Sequence, residues 1–204
     1  MKKILCKILV VAIIFLFCLN KHIEAQSNFS ARLITFSVNP FDTINNKIYT
    51  KKITQKGLFT FEPGVNISFE LFGNDYTSAK ISQSVRLDAC SKFAGSSQIL
   101  LRFRLAKKWK HSLTAGIGPI LFYRKTWENI EGYTNQEYYY SNSQLQHSVM
   151  WLSAEIEYNL YLSKHADLCL TLNHLAPRSF GMLIGYKYWI SRKSSHCNTC
   201  PSYR

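Results

Sequence analysis

Beyond its first twenty or so residues the sequence has no long apolar run, no compact catalytic motif and no second cysteine pair to complete a metal site. Without a stretch near 18 apolar residues, no helix can cross a membrane. If the chain lies in a bilayer it does so as a closed barrel, since only helices and closed barrels satisfy every backbone hydrogen bond in lipid. Acidic residues are also scarce, 12 against 25 lysines and arginines, for a formal net charge of +13 at pH 7. That excess comes without a basic motif or a recognition helix, so nucleic acid is set aside.

The first residues read as a targeting segment. Lys2, Lys3 and Lys7 precede the apolar run Ile8 to Leu19, and Ile23-Glu24-Ala25 follows. A charged start, a short apolar core and a small residue before the cut are the parts of a secretory signal. Cleavage after Ala25 leaves Gln26 first, so residues 1–25 are assigned as signal, 26–190 as one domain and 191–204 as a polar tail. Cys18 follows Phe15-Leu16-Phe17, which lacks the small residues that precede a lipid-anchored cysteine.

What the chain does have is alternation. In Leu58 to Phe72, LFTFEPGVNISFELF, the residues Phe59, Phe61, Pro63, Val65, Ile67, Phe69 and Leu71 share one side, and Thr60, Glu62, Gly64, Asn66, Ser68 and Glu70 the other. A period of two is that of a strand with one apolar and one polar face. The same reading gives strands over 31–38, 76–89, 98–105, 111–124, 144–161, 167–174 and 180–190, eight in all. In the first, Ile34, Phe36 and Val38 are set against Leu33, Thr35 and Ser37; in the sixth, Ser148, Met150 and Leu152 are set against His147, Trp151 and Ser153. Polar, turn-rich segments at 39–57 and 125–143 read as long exposed loops, and 90–97 as a shorter one. Pro63 and Pro119 each call for a bulge, or for the second strand to pair mainly after Pro63, because proline donates nothing to a ladder.

Eight alternating strands suit a soluble lipocalin-like barrel, apolar inside, or a membrane barrel, apolar outside. The polar faces favour the second. They carry small residues such as Ser82, Ser84, Ser112, Thr114, Gly116 and Gly118, which suit a crowded interior. Their charges are of both signs: Glu62, Glu70, Asp88, Glu155 and Glu157 are available to Lys80, Arg86, Arg102, Arg104, Arg124 and Lys187. Buried charges need partners, so an internal salt-bridge network is expected. Alternate connections are long, as in barrels with short periplasmic turns and longer outer loops. Aromatic residues near strand ends, among them Phe59, Phe72, Tyr123, Trp127, Tyr158 and Tyr188, suit interfacial girdles. The fold class expected is all-β, an eight-stranded antiparallel up-and-down transmembrane β-barrel.

Through its signal, strand count and loop asymmetry, the chain resembles the small eight-stranded outer-membrane barrels of Gram-negative bacteria, of the OmpX and OmpA-barrel type. The run Gly116-Ile117-Gly118-Pro119 with Arg124 and Trp127 looks like strands of such proteins, whereas the fourteen residues after Ile190 depart from their usual terminal aromatic strand. The resemblance implies the bacterial outer membrane, no wide pore and a structural or surface-interaction role. Outer-membrane lipids and lipopolysaccharide are the partners its charge suits, with surface ligands reached through loops 39–57 and 125–143. The alternatives are a barrel-rim lipid A or phospholipid acyl hydrolase and a soluble lipocalin-like binder. For the hydrolase, His174 and Ser179 flank the last turn and Glu155 or Glu157 would orient a base. The compact His-x-Ser of the lipid A deacylases is absent, so no catalytic residue is assigned. Cys197 and Cys200 form a CxxC suited to a small disulfide in an oxidising compartment. Cys90 and Cys169 are expected to stay apart, and neither metal nor cofactor is assigned.

Overall fold

In the computed structural model, residues 26–41, 44–135, 138–142 and 144–191 are described. Among the described residues nine strands form: β1 Ser27–Val38, β2 Phe59–Phe72, β3 Thr77–Leu87, β4 Phe93–Lys108, β5 His111–Lys125, β6 Tyr140–Asn142, β7 Leu145–Tyr161, β8 Ala166–Ala176 and β9 Ser179–Ser191. Every pairing is antiparallel. Neighbours in sequence pair with one another, and the β1–β9 and β5–β7 ladders close eight strands into an up-and-down barrel. The short β6 adds only to the start of β7, through Tyr140 to Asn142 against Leu145 to His147. Closure leaves no free edge among the eight, the condition a sheet must meet to sit in lipid.

The side chains point as the polar interior requires. Along β2, Thr60, Glu62, Asn66, Ser68 and Glu70 are buried, while Phe59, Phe61, Val65, Ile67, Phe69 and Leu71 are exposed. The same sorting runs round the barrel, with Leu33, Ile81, Ile99, Ile117, Ile156 and Ile184 outward. A soluble lipocalin-like barrel has the reverse polarity, so that alternative falls on this point. Small inward residues let the narrow barrel fill: Ser30 meets Ser68, and Ser84 meets Ser96 at 2.7 Å.

The sheet departs from simple alternation at its prolines. Between the pairs Ile34↔Gly64 and Phe36↔Phe61, Thr35 stands against Glu62 and Pro63, and β3 joins β2 only from Gly64 onward. This bulge moves β1 from one phase to the other: Arg32 and Ile34 are inside and Leu33 outside, then Phe36 is outside and Ser37 inside. The uniform face drawn from the sequence through Ile34, Phe36 and Val38 is therefore corrected. A second bulge lies opposite Pro119, where β7 spends Trp151 and Leu152 against one residue of β5. Both side chains face outward, at 76% and 70% exposure, and before them Ser148 turns in while His147 and Val149 turn out.

The third connection also differs from expectation. β4 begins at Phe93, and the segment 93–97 read as loop pairs with both β3 and β5. Gly95 and two serines look like a turn in one dimension. In the sheet, however, a Cβ at Gly95 would strike the Tyr123 ring and the Ser84 carbonyl, so the glycine is there for close approach. One end of the barrel therefore carries two long connections, a five-residue turn and a two-residue turn, and the other end carries tight turns and both termini of the described barrel.

Candidate functional site

The barrel's centre is filled by charge. Glu70 on β2 and Glu155 and Glu157 on β7 face Arg32, Lys80, Arg102 and Lys187 from four other strands, all at most 3% exposed. Glu157 is the hub: Arg102 Nη2 lies 2.9 Å from Oε1 and Lys80 Nζ 3.3 Å from Oε2, with Arg32 and Lys187 also bonded to it. Glu155 takes Lys80 Nζ on both oxygens, at 2.7 and 2.8 Å. Glu70 accepts from Arg102 Nη1 at 2.7 Å, from Lys187 at 3.3 Å and from Asn28 at 3.0 Å. Most of these bonds span the barrel. Glu70 and Lys80 are direct neighbours across β2 and β3, yet Lys80 reaches over to β7.

Gly116 leaves room for the Arg102 side chain to enter that centre. It sits between Arg102 and Glu155 in adjacent ladders, and a Cβ there would lie 2.9 Å from the Arg102 side chain. Arg32 is the member that sequence reading missed. The bulge at Thr35 reverses the phase of β1, so a pattern drawn through Phe36 puts Arg32 on the wrong face. The detectable signal was Arg32 itself, since a charge facing lipid is costly.

The remaining charges named from the sequence lie elsewhere. Arg86 and Glu62 form a separate pair toward the loop end, with Nε 2.9 Å from Oε2, and Ser37 also donates to Glu62. Asp88 and Arg124 belong to the loop-end rim. Arg104 is only half-buried, at the turn end near the Phe72 ring, so it is not part of the charged centre.

At the loop end the two long connections are latched together. Tyr49, Trp127, Ala89 and Cys90 form a buried cluster, with Ile48, Ile130 and Tyr133 against it. Asn45 exchanges two hydrogen bonds with the Thr134 backbone, at 3.1 and 3.0 Å, and the Thr50 N–H donates to Ala89 O at 2.9 Å. Asp88 accepts from the Trp127 indole at 2.7 Å and from the Cys90 and Lys92 N–H groups at 3.0 and 2.8 Å. Burial pushes the Asp88 carboxyl up from its ordinary range, against the pull of those donors. The Arg124 guanidinium lies between the Trp127 and Tyr139 rings, 3.6 and 3.8 Å from their centroids, an arrangement of cation and π faces that holds loop to barrel. Burial also raises the Tyr139 hydroxyl. The expectation of two freely exposed loops is corrected here, because Tyr49, Trp127 and Tyr139 supply enough apolar surface to fold them down.

The residues weighed for hydrolysis do not assemble. His174 lies on the outward phase of β8, where its ring packs on Phe180 at 4.2 Å and its Nδ1 accepts from the Ala154 N–H at 3.2 Å. Ser179 points inward and is buried, and Glu155 and Glu157 are engaged in the central network. Cys90 and Cys169 are both buried and form no disulfide with each other, Cys90 donating to the Ile48 carbonyl and Cys169 to that of Gly185. Cys197 and Cys200, like the expected signal segment, lie outside the described residues.

No protein-family model matches the chain, and no curated protein does. Among solved structures, it is similar to the attachment invasion locus protein Ail of Yersinia pestis, at 9% identity over 81% of this chain and 97% of that one, with a TM-score of 0.45. It is also similar to the N-terminal β-barrel domain of Pseudomonas aeruginosa OprF, at 11% identity, 82% and 100% coverage and a TM-score of 0.43. The chain is an eight-stranded up-and-down β-barrel. Its interior holds the seven-charge centre, with the latched loops above it.

Proposed function

We propose that the chain is a bacterial outer-membrane β-barrel with a structural or surface-interaction role and no wide pore. The observation that carries this reading is the inverted polarity of a closed sheet. Val65 and Ile67 are each 48% exposed on the outer wall, while Arg102 and Glu157, on other strands, are wholly buried inside. A charged, hydrogen-bonded interior inside an apolar wall is costly in water and natural in lipid. An even strand number puts both chain ends of the barrel domain on the periplasmic side, so the latched loops at the opposite mouth face outward.

Those loops suit anionic surfaces. Lys47, Lys52 and Lys56 are exposed beside exposed Phe41, Ile44 and Ile53, a pairing of cation and apolar side chain that fits the headgroup layer and the phosphates of lipopolysaccharide. Surface ligands would be met through the same loops. The test is fractionation of cells expressing the full chain, read by gel mobility with and without boiling. Recovery in the outer membrane with heat-modifiable mobility is expected; recovery as a soluble periplasmic protein overturns the proposal.

A further inference from the structure

Beneath the latched loops lies a small cavity of about 40 Å³, between the loop-end rim and the β8–β9 turn. Its wall includes Arg86, Arg124, Arg178 and Ser179, with Glu62 and Asp88 as its only carboxylates among the described residues. Both carboxylates are already engaged. Glu62 takes Arg86 Nε, Ser37 and Thr60, and Asp88 takes the Trp127 indole and two backbone N–H groups. Two polar groups of the wall have no partner. Arg86 donates Nε to Glu62 and Nη2 to the Leu175 carbonyl, which leaves Nη1 buried and unbonded, and the Ser179 hydroxyl is likewise buried and unbonded. Arg86 and Ser179 are 5% and 4% exposed, so bulk water does not satisfy them. Leu175 and Ser179 belong to the same hairpin, so the guanidinium edge reaching Leu175 is turned toward the strand that carries Ser179.

An unbonded guanidinium N–H and a hydroxyl, in a wall with more guanidinium than carboxylate, are donors waiting for an acceptor with negative charge. The geometry points to a buried binding site for one small oxyanion, a phosphate-sized group held by Arg86 Nη1 and Ser179 Oγ, with Arg124 supplying further positive field. The volume corresponds to about three water-sized spheres. It excludes a sugar ring and admits a free phosphate or one phosphate group carried on a lipid. The site lies at the loop end of the barrel, apart from the central network, and does not depend on how the exposed loops engage a surface.

The test uses the full chain purified in a phosphate-free sugar detergent. Inorganic phosphate is titrated calorimetrically against a constant chloride background, and a single-chain phosphate monoester below its micelle concentration is titrated in a parallel arm. Saturable binding of one equivalent in the first arm assigns a free ion, and saturation in the second arm alone assigns a headgroup. In either case Ser179→Ala is expected to weaken binding about three- to tenfold, the effect of losing one hydrogen bond, while Ser112→Ala at the opposite mouth leaves it unchanged. Arg86→Gln also strands Glu62, so Ser179→Ala, which keeps every ion pair, is the deciding variant. No saturation in either arm, or equal binding by wild type and Ser179→Ala, overturns the site.

Discussion

Glu157 shows what single residues do here. It touches Arg32, Lys80, Arg102 and Lys187, and no other carboxylate in the barrel offsets as many cations. Removing its charge leaves those four facing only Glu70 and Glu155 in a space that water barely enters. Breaking a buried ion pair costs about 3–5 kcal/mol, chiefly because a charge is left uncompensated. Glu157→Gln is therefore expected to destabilise the folded barrel by that amount in urea unfolding followed on semi-native gels. Glu155→Gln, which faces Lys80 and Arg102 only, should cost less. If charge imbalance is the cause, adding Lys187→Gln to Glu157→Gln recovers part of the loss. A double variant no better than the single one would move the explanation from charge balance to packing.

Among the elements, the latched loops bear the clearest consequence. Trp127 makes three kinds of contact: its indole N–H to Asp88, its face to Arg124, and T-shaped ring contacts with Tyr49 and Tyr133. Trp127→Ala removes all three and opens a void, a loss of about 3–5 kcal/mol for a buried aromatic. Local opening, not barrel unfolding, should absorb it. Trypsin is expected to cut near Lys47, Lys52 and Lys56 at least about tenfold faster in the variant, since each 1.4 kcal/mol shifts an opening equilibrium tenfold, while heat-modifiable mobility persists. Unchanged cleavage would mean that the loops are held by other contacts. This latch was hard to read in advance, because it forms between segments some 80 residues apart whose local composition is that of turns. The strands were legible for the opposite reason. Period-two alternation is local, and Pro63 and Pro119 correctly marked where it breaks. What alternation could not supply was the phase across each bulge, so Arg32 was passed over, His147 and Trp151 were placed on the wrong face, and Gly95 hid the first third of β4. Individual inward charges such as Glu70, Lys80, Arg102 and Glu157 could be read off the alternation, though Arg32 was not, and their pairing could not, since Lys80 passes over its ladder neighbour Glu70 to reach Glu155 across the barrel.

At the scale of the whole molecule, the two ends of the barrel are chemically distinct, and for the proposed outer-membrane protein that asymmetry predicts an orientation. The loop end carries exposed Lys47, Lys52 and Lys56 and the apolar side chains beside them. The turn end carries Trp109, the Phe72–Trp189 stack and the described chain ends. Insertion with the termini inward places the first set at the cell surface. Single cysteines at Lys56 and Lys164, in a chain whose native cysteines at 90 and 169 are buried and whose tail cysteines are replaced by serine, read this directly with a membrane-impermeant maleimide. Lys56→Cys is expected to label in intact cells, and Lys164→Cys only after the outer membrane is permeabilised. The reverse pattern would invert the barrel and turn the basic loops toward the periplasm. Equal labelling of both in intact cells would mean that reagent passes through the barrel. The proposed barrel without a wide pore predicts against that outcome, because Arg102, Lys80, Glu155 and Glu157 at its centre are each at most 1% exposed.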